Sequence, residues 1–256
     1  MSEQQPPREV EIRVHDLAAG YGRSNVLEGL TFEVGAGEVF ALIGRNGAGK
    51  TTLVRSLLGL RPVRGGTVRV RGLDPWRHRV RALREVGYVP DVPDAPPDAT
   101  PVQLAALCRG ISSEWDQTGL EERLRRAHVD LRRPFGRLSR GQQGLVQLGL
   151  ALALHPRLLI LDDPTLGFDA VARAAFYDEL VGELADRGAT VFLTTHDLVE
   201  SERIADRIGI LHEGRIVAEG SADELRAQGA SHRVGAEKSA LEGLLRDLTE
   251  PAGASD

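Results

Sequence analysis

The sequence has 256 residues, of which 41% are hydrophobic and 27% are charged, a balance that is ordinary for a water-soluble globular protein. Its length suits one large domain, or one domain with a subdomain. The net charge of −5 gives no overall reason to expect nucleic acid or an anionic membrane surface, and the aromatic content of 4% argues against stacking platforms for single-stranded nucleic acid. The single cysteine, Cys108, excludes an intramolecular disulfide and a cysteine-rich zinc site.

The N-terminal residues and the hydropathy pattern favour a cytoplasmic protein without a membrane span. Residues 1–9 are polar and contain proline, so they lack the apolar centre of a secretory signal. No apolar run reaches the roughly 18 residues that a spanning helix needs. The nearest, residues 145–161, is interrupted by polar residues and a proline. If the protein serves a membrane process, we expect another chain to supply the membrane part.

The pattern at the start of the chain predicts an antiparallel β-layer. Residues 10–14 and 31–34 alternate as half-buried strands do, and Tyr21 lies between them in a Gly-Tyr-Gly sequence. An aromatic ring near a nucleotide can stack on its base. Tyr21 is therefore either a base-stacking residue or a turn residue that packs on the strand surface, and spacing alone does not choose between the two.

Residues 44–52 fit the pattern G-x-x-x-x-G-K-[ST] at every fixed position. An apolar, β-rich run at 38–43 precedes them, and a helical pattern follows, which Gly59 could end. Such a strand, turn and helix direct backbone N–H groups and the positive end of the helix dipole at one point, where a polyphosphate fits. Lys50 is one of only two lysines in the chain, and it lies where a flexible point charge reaches phosphates. We predict nucleotide binding rather than a chance glycine-rich turn.

The next part of the chain predicts a helical subdomain inserted into an α/β core at about 75–145. The proline-rich residues 90–101 cannot form a regular helix and predict a connector, whereas helical periodicity dominates residues 102–137. Many arginines lie here and could suit nucleic acid. Acidic residues are interleaved with them, so a solvated helical surface is the favoured interpretation.

An acidic pair follows the buried strand that residues 158–161 predict. Ligands of open α/β sheets bind at the carboxyl ends of strands, so Asp162 is a candidate Mg²⁺ ligand and Asp163 would face the attacking water. The alternative is an acidic turn. His196 follows another predicted strand, at 189–194, and could bond a phosphate, although a histidine there is more often structural.

The last part of the chain predicts a β-hairpin and a tail. Residues 206–212 and 215–218 suit two strands joined over Glu213-Gly214. In the tail at 226–256, four leucines at helical spacing, Leu241, Leu244, Leu245 and Leu248, predict a small docked helix before a polar end.

The order of these motifs resembles that of the ATP-binding subunit of an ABC transporter. Leu138-Ser139-Arg140-Gly141-Gln142 stands about twenty residues before the acidic pair, and this signature is far more specific than the phosphate loop alone. The resemblance covers residues 10–225 and leaves 226–256 as a short tail. It implies an α/β fold: a P-loop NTPase core with a mostly parallel sheet, an N-terminal antiparallel β-layer and the inserted helical subdomain.

The resemblance implies a role for each matching position. Tyr21 would stack on adenine. The phosphates of ATP would be held by the loop residues Gly44, Asn46, Gly47, Ala48, Gly49, Lys50, Thr51 and Thr52. The γ-phosphate of ATP on the opposite subunit would be contacted by Ser139, Gly141 and Gln142. Thr51, Asp162 and Asp91 would serve Mg²⁺, while Asp163 and His196 would act in hydrolysis.

Three positions depart from the usual pattern of the family. Asp91 stands where the family usually has Gln, Arg140 replaces a Gly of the signature, and Asp163 stands where Glu is usual. The change to Arg140 is expected to be mild. The shorter Asp163 loses about 1.5 Å of reach, and a ~1 Å misplacement can slow a reaction about 100-fold. We predict slow rather than absent ATP hydrolysis.

The resemblance also implies partners. ATP held between two subunits requires a second ATPase subunit, in a homodimer or a heterodimer. Transport requires an integral membrane subunit, to which this cytoplasmic chain would bind peripherally at the cytoplasmic face of the membrane. The Asp-Asp-Pro-Thr-Leu-Gly sequence and the short tail resemble two-subunit exporters. The alternative is a soluble ABC-type ATPase acting on DNA or ribosomes, although no nucleic-acid partner is expected. A kinase would have no use for the signature.

Overall fold

In a computed structural model of the chain, residues 9–111 and 114–230 are described. They fall into two units. The first unit comprises residues 1–82 and 192–256, and the second unit comprises residues 83–191.

Within the described residues the chain forms nine strands and eight α-helices. The strands are β1 (Val10–Tyr21), β2 (Ser24–Gly35), β3 (Val39–Gly44), β4 (Gly65–Val70), β5 (Val86–Val89), β6 (Leu158–Asp162), β7 (Thr190–Thr195), β8 (Arg207–His212) and β9 (Arg215–Gly220). The helices are α1 (Lys50–Leu57), α2 (Arg79–Ala82), α3 (Pro101–Arg109), α4 (Gln117–Arg126), α5 (Arg140–Leu152), α6 (Ala170–Arg187), α7 (Leu198–Ile204) and α8 (Ala222–Ala230). The leucine pattern predicted for the tail lies outside the described residues.

Strands β1, β2 and β4 form an antiparallel sheet in the first unit, in the order β2-β1-β4. The strands predicted at 10–14 and 31–34 are confirmed, but each is part of a longer strand. In β1 the pairing register shifts between Val14 and Leu17, beside Asp16, whose φ is 48°. Because a bulge moves the following side chains to the other face, the alternation is broken there and the second half of β1 is not visible in the pattern.

The turn between β1 and β2 is held by hydrogen bonds to one arginine. The Arg64 guanidinium donates to the carbonyl of Gly22 at 2.6 Å, to the carbonyl of Ser24 at 3.0 Å and to Asn25 Oδ1 at 2.9 Å. Gly22 has a φ of 53°, which suits glycine in a tight turn. These bonds fix the backbone beside Tyr21, the last residue of β1.

The parallel part of the first unit is built on β3, in which every residue is buried. β3 pairs in parallel with β8, and β8 pairs antiparallel with β9. The two-residue turn between them is Glu213-Gly214, with φ values of 46° and 78°. The predicted hairpin is thereby confirmed. The apolar core on this part consists of Ala41, Ile43, Leu198, Ile208, Ile210 and Leu225.

The second unit combines two parallel strands, β5 and β6, with the helices α3 to α6. Thr100 and Gln103 form a capping box, and Pro101 occupies the first turn of α3, so the proline-rich connector ends where this helix begins. Helix α5 begins at Arg140, where Ser139 and Gln142 form a second capping box. The helical core consists of Leu104, Ala105, Leu120, Leu124, Val129, Phe135, Leu138, Val146 and Ala153.

The predicted fold class is confirmed: mostly parallel strands with helices, and a separate antiparallel sheet. In the part of the chain that the structure describes, none of the helices has both the length and the apolar character that crossing a bilayer requires.

Candidate functional site

The phosphate-loop residues lie between β3 and α1 in the first unit. Gly47 and Gly49 have φ values of 87° and 114°. Residues with a side chain rarely adopt this backbone conformation, so the loop requires glycine at both positions. The Lys50 ammonium folds back over the loop. It donates to the Gly44 carbonyl at 2.5 Å and to the Arg45 carbonyl at 3.4 Å, and the residue is only 7% exposed.

Helix α1 begins without a side-chain cap. Its N-cap is Gly49, and no acidic residue lies in its first turn. The first N–H groups of a helix have no acceptor within the helix, and they carry a positive partial charge. Helices α3, α4, α5, α6 and α7 each have a side chain that caps them. The start of α1 thus offers donors and positive charge to an anion.

Tyr21 is 45% exposed, and two arginines contact it. The Arg61 guanidinium carbon lies 3.7 Å from the ring centroid, and Arg55 donates to the Tyr21 hydroxyl at 2.9 Å. Partial burial raises the pKa of this hydroxyl, but hydrogen bonds with Thr52 and Arg55 and the nearby guanidinium charges outweigh it, so the pKa lies below its usual value. The hydroxyl bonds connect Tyr21 to helix α1.

His196 lies directly after β7 in the first unit, and its side chain is exposed. The backbone next to it is well fixed. The Asp197 N–H donates to Thr195 Oγ1 at 2.9 Å, and the Asp197 carboxylate accepts from the N–H of Glu200 and caps α7.

The acidic pair lies in the second unit, at the end of β6. Asp162 is 1% exposed and Asp163 is 6% exposed. Asp163 has a φ of 45°, a left-handed conformation that aspartate tolerates better than most residues. The Leu166 N–H donates to the Asp163 carbonyl at 3.1 Å, which closes a turn that begins at Asp163.

The signature residues form the N-terminus of α5, also in the second unit. Ser139 Oγ accepts from the N–H of Gln142 at 3.2 Å, and Gln142 Oε1 accepts from the N–H of Ser139 at 3.1 Å. Gln142 Nε2 also donates to the His128 carbonyl at 3.2 Å. A Cβ at Gly141 would lie 2.3 Å from Cβ of Ala172 in α6, so glycine allows the two helices to approach closely here.

Asp91 follows β5 in the second unit and is partly buried. Its Oδ1 accepts from the N–H of Val92 at 2.9 Å. Arg140, which we expected to be a mild change, makes two long-range hydrogen bonds: Nε donates to the Leu166 carbonyl at 2.8 Å, and a terminal nitrogen donates to the Asp91 carbonyl at 3.1 Å.

The structure thus divides the predicted site residues between the units. The first unit contains Tyr21, the phosphate loop and His196, and the second unit contains Asp91, the signature and the acidic pair. Sequence reasoning missed the arginines Arg55 and Arg61. No sequence signal identifies them, because their contacts to Tyr21 span more than thirty residues.

Comparison with known proteins gives concordant results. The family model described as ABC transporter matches residues 27–166. The chain is 37% identical to Nod factor export ATP-binding protein I of Paraburkholderia xenovorans (strain LB400), over 86% of this chain and 73% of that protein. It is 32% identical to ABC-type transporter ATP-binding protein EcsA of Bacillus subtilis (strain 168), over 94% and 98% of the two chains.

A solved structure, described as that of an ATP binding subunit of an ABC transporter, is also similar. It superposes with a TM-score of 0.78 and 33% sequence identity, over 91% of this chain and 98% of the other. Family model, curated relatives and fold therefore agree with the phosphate loop and the signature. The chain belongs to the ABC transporter family, as an ATP-binding subunit and ATPase of that family.

Proposed function

We propose that this chain hydrolyses ATP at sites completed by a second ATPase subunit, and that hydrolysis drives export of a substrate through a separate membrane-spanning partner. The observation that best supports nucleotide binding is the uncapped start of α1, next to the buried Lys50, which folds over the loop. Export is supported by the 37% identity to a protein named for Nod factor export. In this proposal the substrate pathway lies in the membrane partner.

The loop residues suit the phosphates of ATP. The Lys50 ammonium donates to the carbonyls of Gly44 and Arg45, and a charge-assisted bond to a phosphate is stronger than a bond to such neutral acceptors. The loop residues from Gly44 to Thr52 then hold the phosphates through backbone N–H groups, and Tyr21 stacks on adenine.

The residues assigned to Mg²⁺ provide oxygen donors, which this ion prefers. They are the Thr51 hydroxyl and the Asp162 carboxylate, with Asp91 as a further carboxylate. Among the described residues there is no group of three or more His, Cys, Asp or Glu that could hold a metal ion by itself. Mg²⁺ is usually held by one or two carboxylates together with substrate phosphates, so this donor set fits it. When bound, the ion neutralises charge on the transferring phosphoryl group.

In hydrolysis, we assign to Asp163 the orientation of the attacking water and the acceptance of its proton, and to His196 a hydrogen bond to the γ-phosphate. Asp163 has one methylene less than Glu, so the water is held less well and turnover is slow.

The signature residues contact the γ-phosphate of ATP on the second subunit. Ser139 Oγ accepts a bond from Gln142 N–H within its own chain, which leaves the hydroxyl proton to donate to a phosphate. The dipole of α5 adds positive charge at the same point. Since one chain carries both the phosphate loop and the signature, two copies suffice for two equivalent sites, and a homodimer is the simplest arrangement.

The test is purification from membranes. The tagged chain is purified from solubilised membranes together with the multi-span membrane protein that we expect as its partner, for the wild type, Lys50→Ala and Lys238→Ala. We expect all three variants to co-purify with the membrane protein, to which the chain binds at the cytoplasmic face. The kcat for ATP should fall at least ~100-fold in Lys50→Ala, because a group that stabilises the transition-state charge is lost. Lys238→Ala, the change of the other lysine, should keep the wild-type rate. Recovery only in a soluble complex with ribosomes or nucleic acid would contradict the proposal.

A further inference from the structure

Arg140 joins three segments that are far apart in sequence. Its Nε donates to the carbonyl of Leu166, 26 residues away, and a terminal nitrogen donates to the carbonyl of Asp91, 49 residues away. Both acceptors are backbone groups of loops, and Arg140 itself is the first residue of α5. A guanidinium presents several N–H donors in one rigid plane, so it can hold two carbonyls at the same time, as a lysine ammonium on a flexible stem cannot do as well.

Helix stability does not explain an arginine at this position. The start of a helix has a positive partial charge, so a cation in the first turn is unfavourable. The first turn of α5 contains no acidic residue that would offset the charge. The two carbonyl oxygens are the groups that receive the guanidinium, so the contacts with the loops account for its position.

The loop at Leu166 is shaped to receive this side chain. Gly167 has a φ of 78°, and a Cβ built there would lie 3.2 Å from Arg140 Nε, so a side chain at this position would crowd the guanidinium. The preceding residue, Leu166, also donates its N–H to the carbonyl of Asp163. Arg140 therefore bonds one end of the turn whose other end is Asp163.

The second hydrogen bond of Arg140 restrains the backbone at Asp91. Arg140 holds the carbonyl of Asp91 itself, while the carboxylate of Asp91 accepts from the N–H of Val92. Asp91 and Asp163 both have short side chains, so the position of each carboxylate depends closely on its backbone. One guanidinium thus restrains the backbone at both carboxylates.

We propose that Arg140 is a positioning residue that holds the backbones of Asp91 and of the Asp163–Leu166 turn against the start of α5. It acts through these two loops and does not bind ATP of its own chain. The kinetic consequence rests on the proposed function, in which both carboxylates serve hydrolysis. The structural consequence does not, because the restraint exists in the chain without nucleotide.

The first experiment measures hydrogen exchange of the full chain without nucleotide, for the wild type, Arg140→Lys and Arg140→Ala. Exchange should become about fivefold faster at the N–H groups of both Val92 and Leu166 in both variants, as loss of one hydrogen bond predicts. Arg140→Lys keeps the charge but loses the planar donor set, so wild-type exchange at both segments in Arg140→Lys would overturn the proposal.

Gln147→Ala is the matched control, because Gln147 also lies on α5 and donates to a carbonyl of the same connector, that of Asp94 at 3.1 Å. In the described part of the chain, no hydrogen bond joins Gln147 to the loop at Leu166. Exchange at Leu166 should stay at the wild-type rate in this variant. An equal increase there would show general loosening of α5 and would contradict a specific role of Arg140.

The second experiment measures ATP hydrolysis by the chain with its membrane partner. Both Arg140 variants should lose about tenfold in kcat, with KM for ATP within about twofold of the wild type, since small displacements of reacting groups slow chemistry more than they weaken binding. An increase in KM at unchanged kcat, or full activity in Arg140→Lys, would overturn the proposal. If the wild type itself hydrolysed no ATP, the proposed function would fail, whereas the exchange result would still decide the restraint.

Discussion

One face of the Tyr21 ring is covered by a guanidinium in this chain. The Arg61 guanidinium carbon lies 3.7 Å from the ring centroid, the arrangement of a cation–π contact. Adenine would use the same π-surface. Because Arg55 and Thr52 hold the hydroxyl, the ring itself is fixed, and Arg61 is the group that has to move if adenine takes the covered face.

We predict opposite effects of two substitutions on ATP affinity. Tyr21→Ala should raise the Kd for ATP about tenfold, because base–aromatic stacking contributes ~1–3 kcal/mol. Arg61→Ala should lower the Kd about threefold, because it removes a competing contact of ~0.5–1 kcal/mol. Calorimetric titration with ATP in the absence of Mg²⁺ measures both without turnover.

The exposed Arg23 in the adjacent turn is the control for loss of a nearby positive charge, and Arg23→Ala should leave the Kd within twofold of the wild type. If Arg61→Ala weakened ATP binding as Tyr21→Ala does, Arg61 would support the base from the other face of the ring. This result would contradict the prediction that Arg61 competes with adenine for the Tyr21 ring.

Residues of the site differ in how far the sequence could predict them. The phosphate loop is a continuous run, so its glycines and Lys50 are recognisable from local pattern alone. Arg61 and Arg140 act through contacts with residues distant in sequence, and one chain carries no local signal of such contacts. The expectation of a mild change at Arg140 rests on the signature pattern alone. That pattern contains no information on the two acceptors of Arg140, the carbonyls of Leu166 and Asp91.

At the level of elements, α4 is held at its start by a carboxylate with several partners. Asp116 Oδ1 accepts from the N–H of Gly119 at 2.8 Å and caps the helix. Asp116 Oδ2 lies 3.5 Å from Arg123 and 3.7 Å from His155. The backbone bond to Gly119 lowers the pKa of Asp116, burial opposes it, and the charges of Arg123 and His155 lower it further, so the net pKa lies below its usual value.

This shift predicts a pH-dependent contribution to stability. The pKa of Asp116 is lower in the folded than in the unfolded chain, so its stabilising effect is complete above the unfolded value of about 3.9 and is lost as pH falls through the folded value. Asp116→Asn keeps a capping side chain but removes the charge. We expect it to lower the free energy of unfolding by about 1 kcal/mol at pH 6, a figure reduced for partial exposure.

Urea unfolding at pH 6 and at pH 3, followed by helical circular dichroism, measures this effect. The difference between wild type and Asp116→Asn should shrink at pH 3, which lies below the unfolded pKa of about 3.9, where the stabilisation begins to be lost. Asp98→Asn, at an exposed aspartate of the same unit, controls for loss of one negative charge. A difference that is equal at both pH values would show that Asp116 stabilises α4 as a cap alone.

Elements were predicted well where one periodicity persists, and less well where it is interrupted. β3 is uniformly apolar and the β8–β9 hairpin has a two-residue turn, so both follow from the pattern. In β1 the bulge beside Asp16 breaks the alternation, and in α5 Gly141 and Gly144 weaken the helical signal of the first turns. These glycines are required by packing against α6 and Phe168, which a one-dimensional pattern does not contain.

At the scale of the whole molecule, the proposed mechanism makes association depend on ATP. The phosphate loop of one subunit and the signature of the other hold the same nucleotide, so ATP stabilises the dimer by binding to it more tightly than to the separate chains. Hydrolysis removes the γ-phosphate that the signature contacts, and the dimer should then separate.

Asp163 variants therefore connect hydrolysis with association. Asp163→Asn keeps the size of the side chain but removes the carboxylate that accepts the proton, so kcat should fall at least ~100-fold. With Mg²⁺ and ATP this variant should sediment as a lasting homodimer in analytical ultracentrifugation. The wild type should return to monomer as ATP is consumed. Asp163→Glu adds the missing reach and should raise kcat about tenfold, although glutamate is less suited to the φ of 45° at this position.

The control is the double variant Lys50→Ala/Asp163→Asn, which should stay monomeric with ATP, because the phosphates are no longer held. This separates dimerisation through bound ATP from any association that the Asp163 substitution causes by itself. Hydrolysis by Asp163→Asn at the wild-type rate would remove Asp163 from the mechanism. If hydrolysis were blocked while the chain with ATP stayed monomeric, Asp163 would keep its role and the second ATPase subunit would have to be a different chain.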